Sequence, residues 1–96
     1  MIIRIVKMIF VHDHIDAFNT LFKERMDAIR NFNGCAHLEL WQDAAQKNIF
    51  FTYSHWETED HLEQYRRSDF FKDTWSKTKV FFAERAEAWS VIKTGN

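Results

Sequence analysis

Sixteen of the 96 residues are aromatic: ten Phe, four Trp and two Tyr. They arrive in blocks of two different periods. Phe50, Phe51, Tyr53 and Trp56 fall in a short β-like run, whereas Phe70, Phe71, Trp75, Phe81 and Phe82 sit at helix-like spacing. A chain this short buries a modest fraction of its surface on folding, so one core is too small for so many rings. The surplus demands a second burial surface: a partner subunit, an aromatic-lined pocket, or both.

The rest of the composition narrows the class. The length suits one domain, and the single cysteine, Cys35, rules out an internal disulfide staple. A lone thiol and an N-terminus without signal-like character predict a cytoplasmic protein. The apolar opening Ile2 to Val11 carries Arg4 and Lys7 and is too short to cross a bilayer. Net charge is −1 with the signs interleaved, which argues against nucleic acid and anionic membrane as partners. Arg66-Arg67 is followed at once by Ser68-Asp69 and reads as a solvated helix edge. Proline is absent and glycine occurs only at 34 and 95, so regular elements with tight connections should fill the chain.

Ile2 to Val11 reads as a strand that is apolar on both faces except for Arg4 and Lys7. Asp13 offers an N-cap for a helix whose stripe is Ile15, Phe18, Leu21, Phe22, Met26, Ile29 and Phe32, closed by Asn33-Gly34. Cys35 to Gln42 and Asn48 to Trp56 read as two further strands joined by a hairpin. Thr58 caps a short helix carrying Leu62 and Tyr65, and Ser68 restarts helix through about Arg85. Glu87 to Lys93 closes as a fourth strand. The order is βαββαβ, which predicts an α+β, ferredoxin-like fold with a four-stranded antiparallel sheet. The helices cover one face of that sheet. The other face is apolar too, which predicts a homodimer through the sheet faces.

The run Asn33-Gly34-Cys35-Ala36-His37-Leu38-Glu39-Leu40 and the segment Phe50 to Thr58, with its strand-end tryptophan, resemble the antibiotic biosynthesis monooxygenase family. Leu62, Tyr65, Ser68 and Phe71 keep that family's helix spacing. The resemblance implies one family domain over residues 1–96 that forms a dimeric α+β barrel, with a pocket between sheet and helices in each subunit. It also implies a monooxygenase that oxidises a small flat phenolic, quinol-like or enolic metabolite with O₂ and no cofactor. The alternative is a non-catalytic module on the same fold that binds a small ligand or another protein. Many relatives have histidine where this chain has Tyr65 and Phe70, and often glutamate where it has Ser54. Haem-degrading relatives place a histidine ligand where Trp75 stands and a tryptophan where Tyr65 stands, so haem degradation is disfavoured.

The candidate chemistry follows from what such an oxidation requires: an anion able to pass an electron to O₂, a dry aromatic wall and an oxyanion donor. His37 is the candidate base, set against an interface histidine pointing off the sheet. Tyr65 is the candidate donor, set against a tyrosine that caps the core. Tyr53, Trp56, Phe71 and Trp75 are the candidate substrate-pocket residues, with Trp75 equally readable as packing and Trp56 more readily so. His12-Asp13-His14 does not converge as a metal site, because adjacent loop positions rarely reach one ion and Asp13 is committed as a cap. No metal is expected. Cys35 follows a helix end and has no cue for thiolate activation, which predicts a structural thiol.

Overall fold

The eight residues Ile2–Ile9 (β1) become the centre of the molecule because both of their faces are apolar and both of their edges find partners. In this computed structural model, which describes residues 1–95, β1 pairs antiparallel with Ile49–Trp56 (β3) on one side and Glu87–Val91 (β4) on the other. Cys35–Gln42 (β2) pairs with the outer edge of β3, giving the sheet order β2-β3-β1-β4. The three helices Ile15–Arg30 (α1), Glu59–Arg67 (α2) and Asp69–Lys79 (α3) complete the expected ferredoxin-like α+β arrangement.

Alternation along β1 and β3 divides the sheet cleanly. Met8, Phe50, Ser54 and Trp56 point to the helices and are buried, while Ile3, Ile5, Tyr53 and His55 belong to the opposite face. On the helical side the core is not one continuous cluster. Trp56, Leu38, Leu62, Ile29 and Tyr65 form one group, and Phe10, Phe18, Met8 and Phe50 form a second, with Phe22 packed against both. A run of rings links the two along the helical layer. Tyr65 meets Phe71 edge-on at 5.0 Å, Phe71 stacks on Trp75 at 5.9 Å, and Trp75 meets Phe82 at 5.5 Å.

Both expected caps after β3 form. Thr58 accepts from the His61 backbone N–H, and Ser68 Oγ accepts from the Phe71 N–H at 3.0 Å. Ser68 also donates to the Tyr65 carbonyl at 2.6 Å, so one hydroxyl ties off the end of α2 and starts α3.

β1, β3 and β4 are each one or two residues shorter than the sequence reading, and three helix boundaries differ for a local reason. Asp13 does not cap α1: His12–His14 form a 3₁₀ turn, and α1 starts at Ile15 with no side-chain cap. The backbone of Val11 is held there by Phe81, and the His14 N–H donates to the Val11 carbonyl, which uses up the residues a cap would need. α3 ends at Lys79 rather than near Arg85, because Phe82 leaves the helix to bridge Phe10 and pack on its ring. α1 ends at Arg30, so Gly34 lies beyond the helix in the turn into β2. Gly34 has φ of +91°, and a Cβ there would overlap the His61 side chain, so the turn accepts glycine alone.

Replacing Ser68 by Ala should cost about 1 kcal/mol of stability through loss of the cap. Chemical denaturation of both proteins checks it; an unchanged midpoint would show that the junction is held by packing alone.

Candidate functional site

The gap between the two core clusters is a cavity of about 280 Å³, enclosed by the helical side of the sheet and the three helices. It lies at the small end of pockets that hold small molecules, roughly 300–1,000 Å³. Trp56 forms part of its floor, with its indole N–H donated to Ser54 Oγ at 3.0 Å. Tyr65 stacks on Trp56 with ring centroids 4.8 Å apart, and Phe71 and Trp75 extend the aromatic wall from α3. Thr52, Thr74 and Thr78 add hydroxyls, of which Thr78 is bonded to the Thr74 carbonyl and Thr74 accepts from Arg25.

The break at Ser68 shapes this wall. An unbroken helix would carry Tyr65 and Trp75 on one straight face about 15 Å apart. With the chain redirected at Ser68, both residues border the same cavity. Tyr65 is largely buried among Phe32, Trp56 and Phe71, yet its hydroxyl has no bonding partner among the described residues. No fully enclosed side-chain polar atom there lacks a partner, so this hydroxyl keeps some access to solvent. Burial first, and Cys35 second, push its pKa well above the usual phenol range. Tyr65 therefore enters any chemistry as a neutral donor and not as a base.

His37 and Tyr53 stand on the other side of the sheet. Alternation along β3 places Tyr53 there; alternation along β2, which turns Leu38 to the helices, places His37 there, with a β-bulge between Cys35 and His37 resetting the phase of Cys35. Cys35 faces Trp56 and the helical core; Ala36 is the extra residue, and His37 lies on the outer face opposite His55. There His37 bonds to Glu39, whose carboxylate also accepts from the Trp41 indole at 2.9 Å. The Trp41 bond, followed by that of His37, holds the Glu39 pKa below the ordinary value. His55 and Tyr53 bond at 2.8 Å, and Trp41 stacks on Tyr53 with centroids 4.5 Å apart. Neither His37 nor Tyr53 reaches the cavity. Cys35 is half-buried, and desolvation raises its thiol pKa.

Two cavity residues carry a charge that the sequence reading did not assign to a site. Arg4 projects from β1 among Ile2, Val6 and Met8, and Arg66, exposed at the end of α2 as expected of a helix edge, also borders the cavity. Arg4 was visible as the one charge in the even-numbered half of β1, but the face it occupied depended on register. Among the described residues no His, Asp or Glu lines this cavity, and no group of three or more His, Cys, Asp or Glu is placed to hold a metal.

A βαββαβ chain with a split second helix and an aromatic cavity between its layers defines a ferredoxin-like α+β protein. The chain belongs to the antibiotic biosynthesis monooxygenase family, whose model matches residues 1–76. The fold is shared with a conserved protein from Methanosarcina mazei Go1 at TM-score 0.91 and 23% identity, covering 98% of this chain and 94% of that one. An antibiotic biosynthesis monooxygenase structure superposes at TM-score 0.92 with 15% identity, covering 99% and 100%. Rv0793 from Mycobacterium tuberculosis gives 0.89 at 13% identity, covering 99% and 96%. At these identities the structures share the fold and nothing finer. Comparison with curated proteins finds no match.

The Tyr65 shift sets an alkaline limit. A phenol whose folded pKa is raised contributes stability that is fully present below its unfolded value of about 10 and is lost as pH rises toward the folded value. In an ultraviolet titration, one of the two tyrosines should ionise only as the protein unfolds, and Tyr65→Phe should remove that late component. Ionisation of Tyr65 in a protein that still shows native circular dichroism would contradict the assignment.

Proposed function

We propose that this protein is a cofactor-independent monooxygenase that oxidises a small flat phenolic, quinol-like or enolic metabolite with O₂. The observation that carries the reading is that Tyr65, whose hydroxyl has no partner among the described residues, lines an aromatic cavity of about 280 Å³. Trp56, Phe71 and Trp75 hold the ring, and Tyr65 donates to the substrate oxygen that bears the developing charge. The substrate loses its proton to solvent, since the cavity offers no imidazole or carboxylate to take it. The resulting carbanion–enolate passes an electron to O₂, and the radical pair joins as a C–O bond. Protonation and loss of water from that hydroperoxide leave a carbonyl, so one oxygen atom enters the product and the other leaves in water.

The lack of a base among the lining residues also favours a second reading, in which the same cavity binds a small ligand without turning it over. Oxygen uptake with an anthrone- or quinol-type substrate separates the two. The oxygenase reading expects enzyme-dependent uptake, reduced about tenfold or more in kcat by Tyr65→Phe, while Trp75→Ala mainly raises KM. A fully active Tyr65→Phe would remove Tyr65 from the mechanism. Binding of the substrate without any uptake would establish the second reading.

The outer sheet face supports a homodimer. Trp41, Trp89 and Val91 are exposed there beside Ile3, Ile5, Phe51 and Tyr53, an apolar surface that no helix of the chain covers. Pairing of two such faces would enclose His37 and Tyr53 with their polar partners already satisfied. Sedimentation at micromolar concentration should give twice the mass of one chain; a stable monomer would overturn this assembly. Among the described residues no helix is long and apolar enough to cross a membrane.

A further inference from the structure

Arg4 occupies a position that packing alone does not explain. On the helical face of the central strand its companions are Ile2, Val6 and Met8, all drawn into the core. Its cross-strand neighbours are Ser54 on β3 and Ser90 on β4, two small hydroxyl residues where a structural arginine would be expected to meet a carboxylate. The guanidinium spends one N–H on Ser90 Oγ at 2.9 Å. The ion pairs among the described residues engage Arg25, Arg30, His37, Arg66 and Lys77, and none engages Arg4. The nearby Arg66 repels it, and Glu63, the carboxylate that acts on it, is already bonded to Arg66 at 2.9 Å. Desolvation, followed by that repulsion, lowers the Arg4 pKa. The cavity as a whole is lined by two guanidiniums and no carboxylate. Positive charge that is half-buried, oriented and left without a counter-ion lacks its negative partner.

We propose that the cavity selects a flat ring bearing a carboxylate, which Arg4 pairs through its free N–H groups while Trp56, Phe71 and Trp75 enclose the ring. This rests on the reading of the cavity as the substrate site and adds the substrate's charge to it. The planar guanidinium fork matches the two oxygens of a carboxylate, and Ser90 fixes the plane in which the fork is presented. The cavity's size admits one or two fused rings with that substituent. Arg4 is thus a specificity residue, and Tyr65 remains free to donate to a different oxygen on the ring.

The test is equilibrium binding, followed by tryptophan fluorescence, of 1-naphthoate, its neutral isostere 1-naphthamide, and 1-naphthol. The wild-type protein should bind naphthoate roughly tenfold or more tightly than naphthamide, with a preference that weakens as salt is added. Arg4→Met should abolish the preference by weakening naphthoate far more than naphthamide, and Arg4→Lys should restore part of it, both with native circular dichroism. Equal binding of naphthoate and naphthamide, a preference that survives Arg4→Met, a preference for naphthol over naphthoate, or no binding of any probe overturns the proposal. The outcome is separable from catalysis. A naphthoate preference without oxygen uptake keeps this inference and removes the oxygenase reading; quinol oxidation without the preference does the reverse.

Discussion

The hydroxyl of Ser68 is the small contact on which the cavity depends. By donating to the Tyr65 carbonyl and accepting from the Phe71 N–H, it ends one helix and begins the next within a single residue. A continuous helix from Glu59 onward would lay one apolar stripe against the sheet and fill the space beneath it. The break instead sends Tyr65 down onto Trp56 and lets Phe71 and Trp75 extend the same aromatic wall. The core is consequently divided, and the division is the cavity. A fully packed interior would be more stable, because an unfilled space forfeits dispersion contacts along its lining. Such a cost is kept where the space has a use.

The second constraint is the phase of β2. One extra residue at Ala36 lets Cys35 face the helical core while His37 and Glu39 face away from it. The sheet then separates two aromatic populations with different chemistry. The cavity side pairs rings with hydroxyls and guanidiniums. The outer side pairs rings with a closed set of polar contacts, His37 with Glu39 and Tyr53 with His55. Polar groups that are satisfied among themselves can be buried against a second copy at little cost. Those in the cavity, Arg4 and Tyr65 above all, still have bonding capacity to offer. The excess of aromatic residues for a chain of this size thus has two separate destinations.

Much of the fold was legible because its signals are local. The aromatic stripe of α1, the Thr58 and Ser68 caps and the βαββαβ order all follow from spacing within a few residues. On the helices, Tyr65, Phe71 and Trp75 were named from the sequence and border the cavity. On the strands, of the residues named, Trp56 alone does. Side-chain direction there alternates with every residue, so the phase of the strand decides whether His37 or its neighbour meets the cavity, and no residue type between Cys35 and His37 announces the bulge. Arg4 escaped for the same reason: a lone charge in an apolar strand names no face until the register with Ser54 and Ser90 is known. The departure of Phe82 from α3 was hidden because its partner, Phe10, lies far away in sequence.

The central claim is that the space between sheet and helices, and not the outer sheet face, receives the substrate. A crystal structure of the protein with a bound, non-oxidisable hydroxynaphthoate would test it most directly. The account predicts the ring enclosed by Trp56, Phe71 and Trp75, its hydroxyl oxygen within hydrogen-bonding distance of Tyr65, and its carboxylate on Arg4. A ring seated beside His37 and Tyr53 on the outer face, with the cavity closed by its own side chains, would contradict it.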